Sequence, residues 1–103
     1  MAKKMHIKLI NRGEEGELLL EGRLDSAAAP EVEEIVLQVV DRFDRVILNM
    51  AQLEYISSAG LRILKLAYMA VRKKDGELQL KNVNKLVMEV FEMTGFAGLL
   101  TFI

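Results

Sequence analysis

Three serines occur in this chain, and two of them, Ser57 and Ser58, stand side by side just ahead of a segment with helical periodicity. A hydroxyl at such a junction can accept a hydrogen bond from the free backbone N–H groups of the first helical turn. If phosphorylated instead, it would set about two negative charges at the positive end of the helix dipole. Both readings, a plain cap and a modification site, fit these residue types. Gly60 lies two positions beyond Ser58, and its missing side chain either lets another backbone approach the serine or lets the helix pack closely on a sheet. Asp25, which follows Leu24, either caps a helix or lends charge to the surface beside the Ser58 loop.

Little else in the chain could do covalent chemistry. There is no cysteine, which removes thiolate nucleophiles, disulfides and cysteine metal clusters. His6 is the only histidine and has no companion ligands around it, so it reads as a solvent-facing strand residue. A Ser-His-Asp triad is not expected, and no base is identifiable beside Ser58 to make it a nucleophile. The expectation is a binding module without catalytic residues, metal or cofactor.

Fourteen basic residues against fifteen acidic ones leave a formal charge of −1, which gives no strongly positive field for direct nucleic-acid binding. With 51% hydrophobic and 28% charged residues, the 103-residue chain can bury a core and keep a wet surface, and it has the length of one domain. Its apolar runs fall short of the roughly 20 residues of a membrane span. Residues 1–8 alternate polar and apolar instead of entering a continuous apolar stretch, so no secretory signal is read and a cytoplasmic location is expected. The Lys3-Lys4 pair reads as a solvated terminus.

The elements that must position the serines follow from the periodicity. Residues 5–11 and 17–24 read as two strands joined by a polar turn from Asn11 to Gly16. From Ser26 the period becomes helical, with Val32, Ile35, Val36, Val39 and Phe43 on one stripe and Glu31, Glu33 and Glu34 near the favourable end of the dipole. Residues 45–50 form a short apolar run that reads as a strand covered on both faces, followed by a loop from Ala51 to Ser57. Ser57 or Ser58 opens a helix reaching about Lys74, closed at Asp75-Gly76. Residues 77–83 give a strand, and Asn84 caps a helix over 85–94 that stops at Gly95. A last strand covers 99–103. The order ββαβαβαβ predicts one α/β domain, a mixed and mostly parallel sheet with helices packed on it. Met50, Met88 and Met93 read as core or near-core fillers.

The helix after the serines is apolar over a wider arc than one sheet face needs. Leu61, Leu64, Tyr68 and Val71 line one stripe, and Ile63, Leu66, Ala67 and Ala70 extend it to roughly two-thirds of the circumference. The remaining arc holds Arg62, Lys65, Arg72 and Lys73 with Met69 in its middle, an adaptable apolar side chain within a basic strip. That pattern suits either a docking face or a neighbouring helix plus a solvated charged face.

The stretch Leu53-Glu54-Tyr55-Ile56-Ser57-Ser58-Ala59-Gly60-Leu61-Arg62-Ile63-Leu64 resembles the signature of STAS-domain proteins, specifically of bacterial anti-sigma factor antagonists. Upstream, Leu20-Glu21-Gly22-Arg23-Leu24-Asp25 resembles that family's Gly-x-Leu-Asp turn into its first helix, and Val46-Ile47-Leu48-Asn49 resembles its central strand. The resemblance spans nearly the whole chain and implies a single STAS-like domain over residues 1–103. It further implies that Ser58 is phosphorylated by a partner kinase that is itself the anti-sigma factor, with Ala59 the variable position and Gly60 the family glycine. Asp25, Ser57, Ser58, Ala59 and Gly60 would then form the partner surface, joined by Arg62 and Met69 from the helix. Two positions depart from the family pattern: Ser57 and Asn49 stand where aspartates are common. The chain is also expected to lack the further C-terminal helix of many relatives.

The function implied is that of an antagonist that binds an anti-sigma factor serine kinase while unphosphorylated and is switched off by phosphate on Ser58. The alternative is a STAS accessory or scaffold subunit of a transporter or signalling assembly, in which Ser58 is only a cap.

Overall fold

A computed structural model describes residues 5–103, so the Lys3-Lys4 pair lies outside the described residues. The first hairpin joins β1 (His6–Arg12) to β2 (Glu15–Leu24) through a two-residue turn, tighter than the six-residue polar stretch suggests. Gly13 takes the left-handed conformation that this turn needs (φ 84°), and its N–H donates to Asn11 Oδ1 at 2.9 Å. Then follow α1 (Ala29–Arg42), β3 (Arg45–Ile56), α2 (Ser58–Lys73), β4 (Glu77–Lys81), α3 (Lys85–Thr94), a single 3₁₀ turn at Phe96–Gly98 and β5 (Thr101–Phe102).

The five strands lie in sequence order in one sheet, with β1 antiparallel to β2 and all other neighbours parallel. Each parallel step needs a crossover, and three right-handed crossovers moving in one direction place α1, α2 and α3 on the same face. That face carries Leu18 and Leu20 of β2, Val46 and Leu48 of β3, and Leu78 and Leu80 of β4. These residues form one cluster with Val32 and Val36 of α1, Ile63, Leu64 and Ala67 of α2, and Val87 and Phe91 of α3. The order expected from the sequence is the order found.

Several boundaries move, each for a physical reason. The strand expected to end at Met50 continues to Ile56, because the long β2 goes on pairing with it through Gln52, Leu53, Tyr55 and Ile56. Two register shifts in this pairing break the alternation that marks a strand in sequence, and Gly22, at φ 112°, sits at the second. The helix expected from Ser26 begins at Ala29, after a turn held by Asp25. The last strand shrinks to two residues because the 3₁₀ turn takes the segment before it.

β3 has helices on one face only. On the other, Ile47 is buried between its register partners Glu17 and Gln79 without a covering helix. Met50 is fully buried and Met88 half-buried, but Met93 is 86% exposed: it lies on the outer side of α3 and fills no core. α1 and α2 end together. Lys74 Nζ donates to the carbonyls of Val40 (2.7 Å), Asp41 (3.2 Å) and Phe43 (3.1 Å), placing a cation on the acceptor end of α1.

Candidate functional site

The carboxyl ends of β2 and β3 and the amino ends of α1 and α2 meet at one place. The Ser57 N–H donates to Leu24 O at 2.9 Å, which ties the two strand ends together there. Asp25, next along from Leu24, accepts the Ala28 N–H on Oδ1 at 3.0 Å and the Ala29 N–H on its carbonyl at 3.0 Å. Of the two readings of Asp25, the structure shows the capping one directly, with its side chain half-buried beside the serines.

The two serines divide their tasks. Ser57 is extended (φ −93°, ψ 175°) and its Oγ accepts the Gly60 N–H at 3.2 Å, so Ser57 is the N-cap of α2. Ser58 is the first helical residue, and it is exposed. Among the described residues its hydroxyl has no hydrogen-bond partner. The plain-cap reading therefore belongs to Ser57, and Ser58 keeps an unengaged Oγ at the positive end of a 16-residue helix.

The next residues set the angle at which α2 leaves the sheet. Ala59 packs half-buried against the core, and Gly60 is buried. A Cβ on Gly60 would stand 2.7 Å from Ile56 Cγ1 and 2.8 Å from Leu24 Cγ, distances that packed carbons do not adopt. Close packing of helix on sheet accounts for the glycine. Arg62, one turn beyond Ser58, is exposed, with no carboxylate partner among the described residues. Met69 is 48% exposed between Lys65, Arg72 and Lys73 on the same outer arc of α2. The Arg72 guanidinium donates to Tyr68 Oη at 2.7 Å, which stiffens one edge of that strip.

One feature of the site was not legible in the sequence. Arg23 and Tyr55 are register partners just before Leu24 and Ile56, and the Arg23 guanidinium lies over the Tyr55 ring at 4.4 Å from its centroid. Reading residues 51–57 as a loop hid this pair. The signal was an aromatic residue two positions ahead of the cap, in a strand end that must leave one side open.

Asn49 turns out to serve the opposite face of the sheet. Its Nδ2 donates to Glu17 Oε2 at 2.9 Å, while Arg12 Nη1 donates to Glu17 Oε1 at 2.6 Å. Glu17 is only 2% exposed, and these two donors, Asn49 foremost, hold its carboxyl below the usual carboxylate range against the opposing effect of burial. An aspartate at position 49 would lose this donor and set a second negative charge beside Glu17. The asparagine thus serves the sheet, away from the serines. His6 is exposed on that same face, as β1 pairing places it opposite Glu21.

A mostly parallel sheet with helix amino ends gathered at the strands' carboxyl ends, and a free serine in the first turn of one of them, places the chain among small α/β domains. The family model described as Mlab, STAS domain matches residues 8–101, and the chain belongs to that family. It is 41% identical over 81 residues to BtrV of Bordetella bronchiseptica, named as a candidate anti-sigma factor antagonist, covering 78% of this chain and 70% of BtrV. Among solved structures, an anti-sigma factor antagonist from Mycobacterium paratuberculosis superposes with a TM-score of 0.87 at 18% identity, covering 99% of this chain and 89% of that one. The Bacillus cell fate determinant SpoIIAA in its phosphorylated form superposes with a TM-score of 0.72 at 18% identity, covering 96% and 90% of the two chains. At such identities the solved structures establish the fold. No helix among the described residues is long and apolar enough to cross a membrane.

Proposed function

We propose that this chain is an anti-sigma factor antagonist that works by binding rather than by catalysis, and that its partner is an anti-sigma factor serine kinase. The unphosphorylated form docks on the kinase through Asp25, Ser57 to Ala59, Arg62 and Met69, with Gly60 buried beneath them, and so frees a sigma factor for transcription. The observation that carries this reading is the division of labour at α2: Ser57 caps, so Ser58 is left exposed with a free hydroxyl. In the modification step the γ-phosphoryl group of the kinase's ATP passes to Ser58 Oγ, the Oγ proton leaves to a base of the kinase, and ADP departs. The new dianion rests on the helix dipole with Arg62 one turn away, so the fold tolerates it. Docking does not, because a partner surface must now desolvate or repel that charge.

Incubation with candidate anti-sigma kinases and ATP, followed by phosphosite mapping by mass spectrometry, tests the reading. Phosphate should appear on Ser58 and be absent from Ser58→Ala, while Ser57→Ala still accepts it. Docking on the kinase without any phosphate incorporation would leave a binding module and overturn the switch. Absence of both docking and phosphate would favour the accessory or scaffold role.

A further inference from the structure

Two helix faces of opposite charge remain uncovered on the same side of the molecule. On α2, Arg62, Lys65 and Lys73 surround Met69, and the helix contains no acidic residue. On α3, Leu86 (61% exposed) and Met93 lie two turns apart on one stripe, with Glu89 and Glu92 beside them. Among the described residues, none of these five charged side chains has a partner of opposite sign within the chain. Exposed methionine and leucine at helical spacing, with basic charge along α2 and, beyond Lys85 at its start, acidic charge along α3, mark surfaces that fit one another.

The fold supplies a geometry for that fit. α2 and α3 both return across the same sheet face between parallel strands, so they point the same way. A two-fold axis along their common direction lays α2 of one copy over α3 of the other, twice per pair. Lys65 and Glu89 both sit near the middle of their exposed arcs, with Met69 and Met93 one turn on from each, so the two helices bring the same order of side chains to the contact. We propose that two copies of this chain associate face to face in this way, the basic Met69 strip of α2 on the acidic Leu86 and Met93 stripe of α3. Two short helix pairs make a small interface, of the class that associates weakly. The Met69 strip also belongs to the docking surface proposed above, and where that reading holds, self-association and kinase binding exclude each other.

Sedimentation equilibrium of the purified full chain, from roughly 5 µM to about 1 mM at about 50 mM and about 500 mM NaCl, reads the association directly. The expected result is a monomer–dimer equilibrium weakened at least about tenfold by the higher salt. Met93→Lys, Lys65→Glu and Glu89→Lys should each weaken it at least about fivefold, and Lys65→Glu with Glu89→Lys should restore it to within about twofold of wild type. All three positions are exposed, and thermal melts should match wild type. A monomer throughout the range overturns the inference. So does a dimer indifferent to these substitutions, or a double variant no better than the singles. Phosphate mapping on the wild-type chain keeps the two readings apart: a dimer without phosphorylation leaves this inference standing and defeats only the switch.

Discussion

Ser57 Oγ accepts the backbone N–H of Gly60 at 3.2 Å, and this one bond decides the roles of both serines. With the cap made by Ser57, Ser58 contributes nothing to the fold that its hydroxyl could lose. Ser57→Ala should therefore lower stability by about 1 kcal/mol, the usual worth of a serine cap, while Ser58→Ala changes it by less than about 0.5 kcal/mol. Urea unfolding of the two variants checks the order. A larger loss for Ser58→Ala would move the cap to the wrong serine.

Phosphorylation should act on binding and spare folding. Ser58→Asp, with less charge than phosphate, should melt within a few degrees of wild type, since an acidic residue in the first helical turn suits the dipole. Its affinity for the kinase should fall, by more than a hundredfold if the desolvation and repulsion reach about 3 kcal/mol, whereas Ser58→Ala should still bind. Titration calorimetry against the purified partner, alongside melts, separates the two effects; equal affinity for wild type and Ser58→Asp would argue for a role outside the interface.

Gly60→Ala tests the junction between helix and sheet. The added methyl would press on Ile56 and Leu24, both buried, at the point where β2 and β3 are tied. A loss of about 1–3 kcal/mol is expected, as for other overpacked sites. Chemical denaturation measures it, and an unchanged midpoint would show that α2 can lift away freely.

Lys74 should matter more than its exposed neighbours Arg72 and Lys73. Its ammonium serves three carbonyls at the end of α1, and Lys74→Met removes those bonds while keeping most of the apolar stem. The expected cost is about 1–2 kcal/mol, against less than about 0.5 kcal/mol for Lys73→Met, read from denaturation midpoints.

Glu17 gives the stability a dependence on pH with a definite sign. Its carboxyl is held below the ordinary range in the folded chain, first by Asn49 and then by Arg12. The unfolded chain therefore takes up this proton at a higher pH than the folded one. The stabilisation is fully present above the ordinary carboxylate range and is lost as pH falls through that range to the folded value. Glu17→Gln should flatten this part of the profile of unfolding free energy against pH. An unchanged slope between wild type and Glu17→Gln would place the acid sensitivity in other carboxylates.

Much of the architecture can be read from local pattern. The alternation of Leu18 and Leu20, the helical spacing of Val32, Val36 and Val39, and the Asn84 cap, whose Oδ1 accepts the Val87 N–H at 2.9 Å, act over a few residues and leave their mark in the sequence. The second half of β3 does not. It is a strand because β2 lies alongside, and its two register shifts erase the alternation that would have announced it. The exposure of Met93 has the same kind of cause: a methionine on a short amphipathic helix looks like filler until the helix is set on the sheet and its outer side is known.

By itself the sequence determined the element order, the single-domain α/β class and the presence of a serine pair at the start of α2, because periodicity, turn residues and capping preferences are short-range properties of the chain. Only the tertiary structure decided which serine caps and which is free, that Gly60 is needed against Ile56 and Leu24, and that Arg23 and Tyr55 meet beside the site. It also decided that Asn49 serves Glu17 on the far face. Those outcomes depend on how two strand ends and two helix starts are brought together. The contacts that set them, Ser57 to Leu24 and Asn49 to Glu17, join residues about thirty positions apart, a separation at which local pattern carries no information.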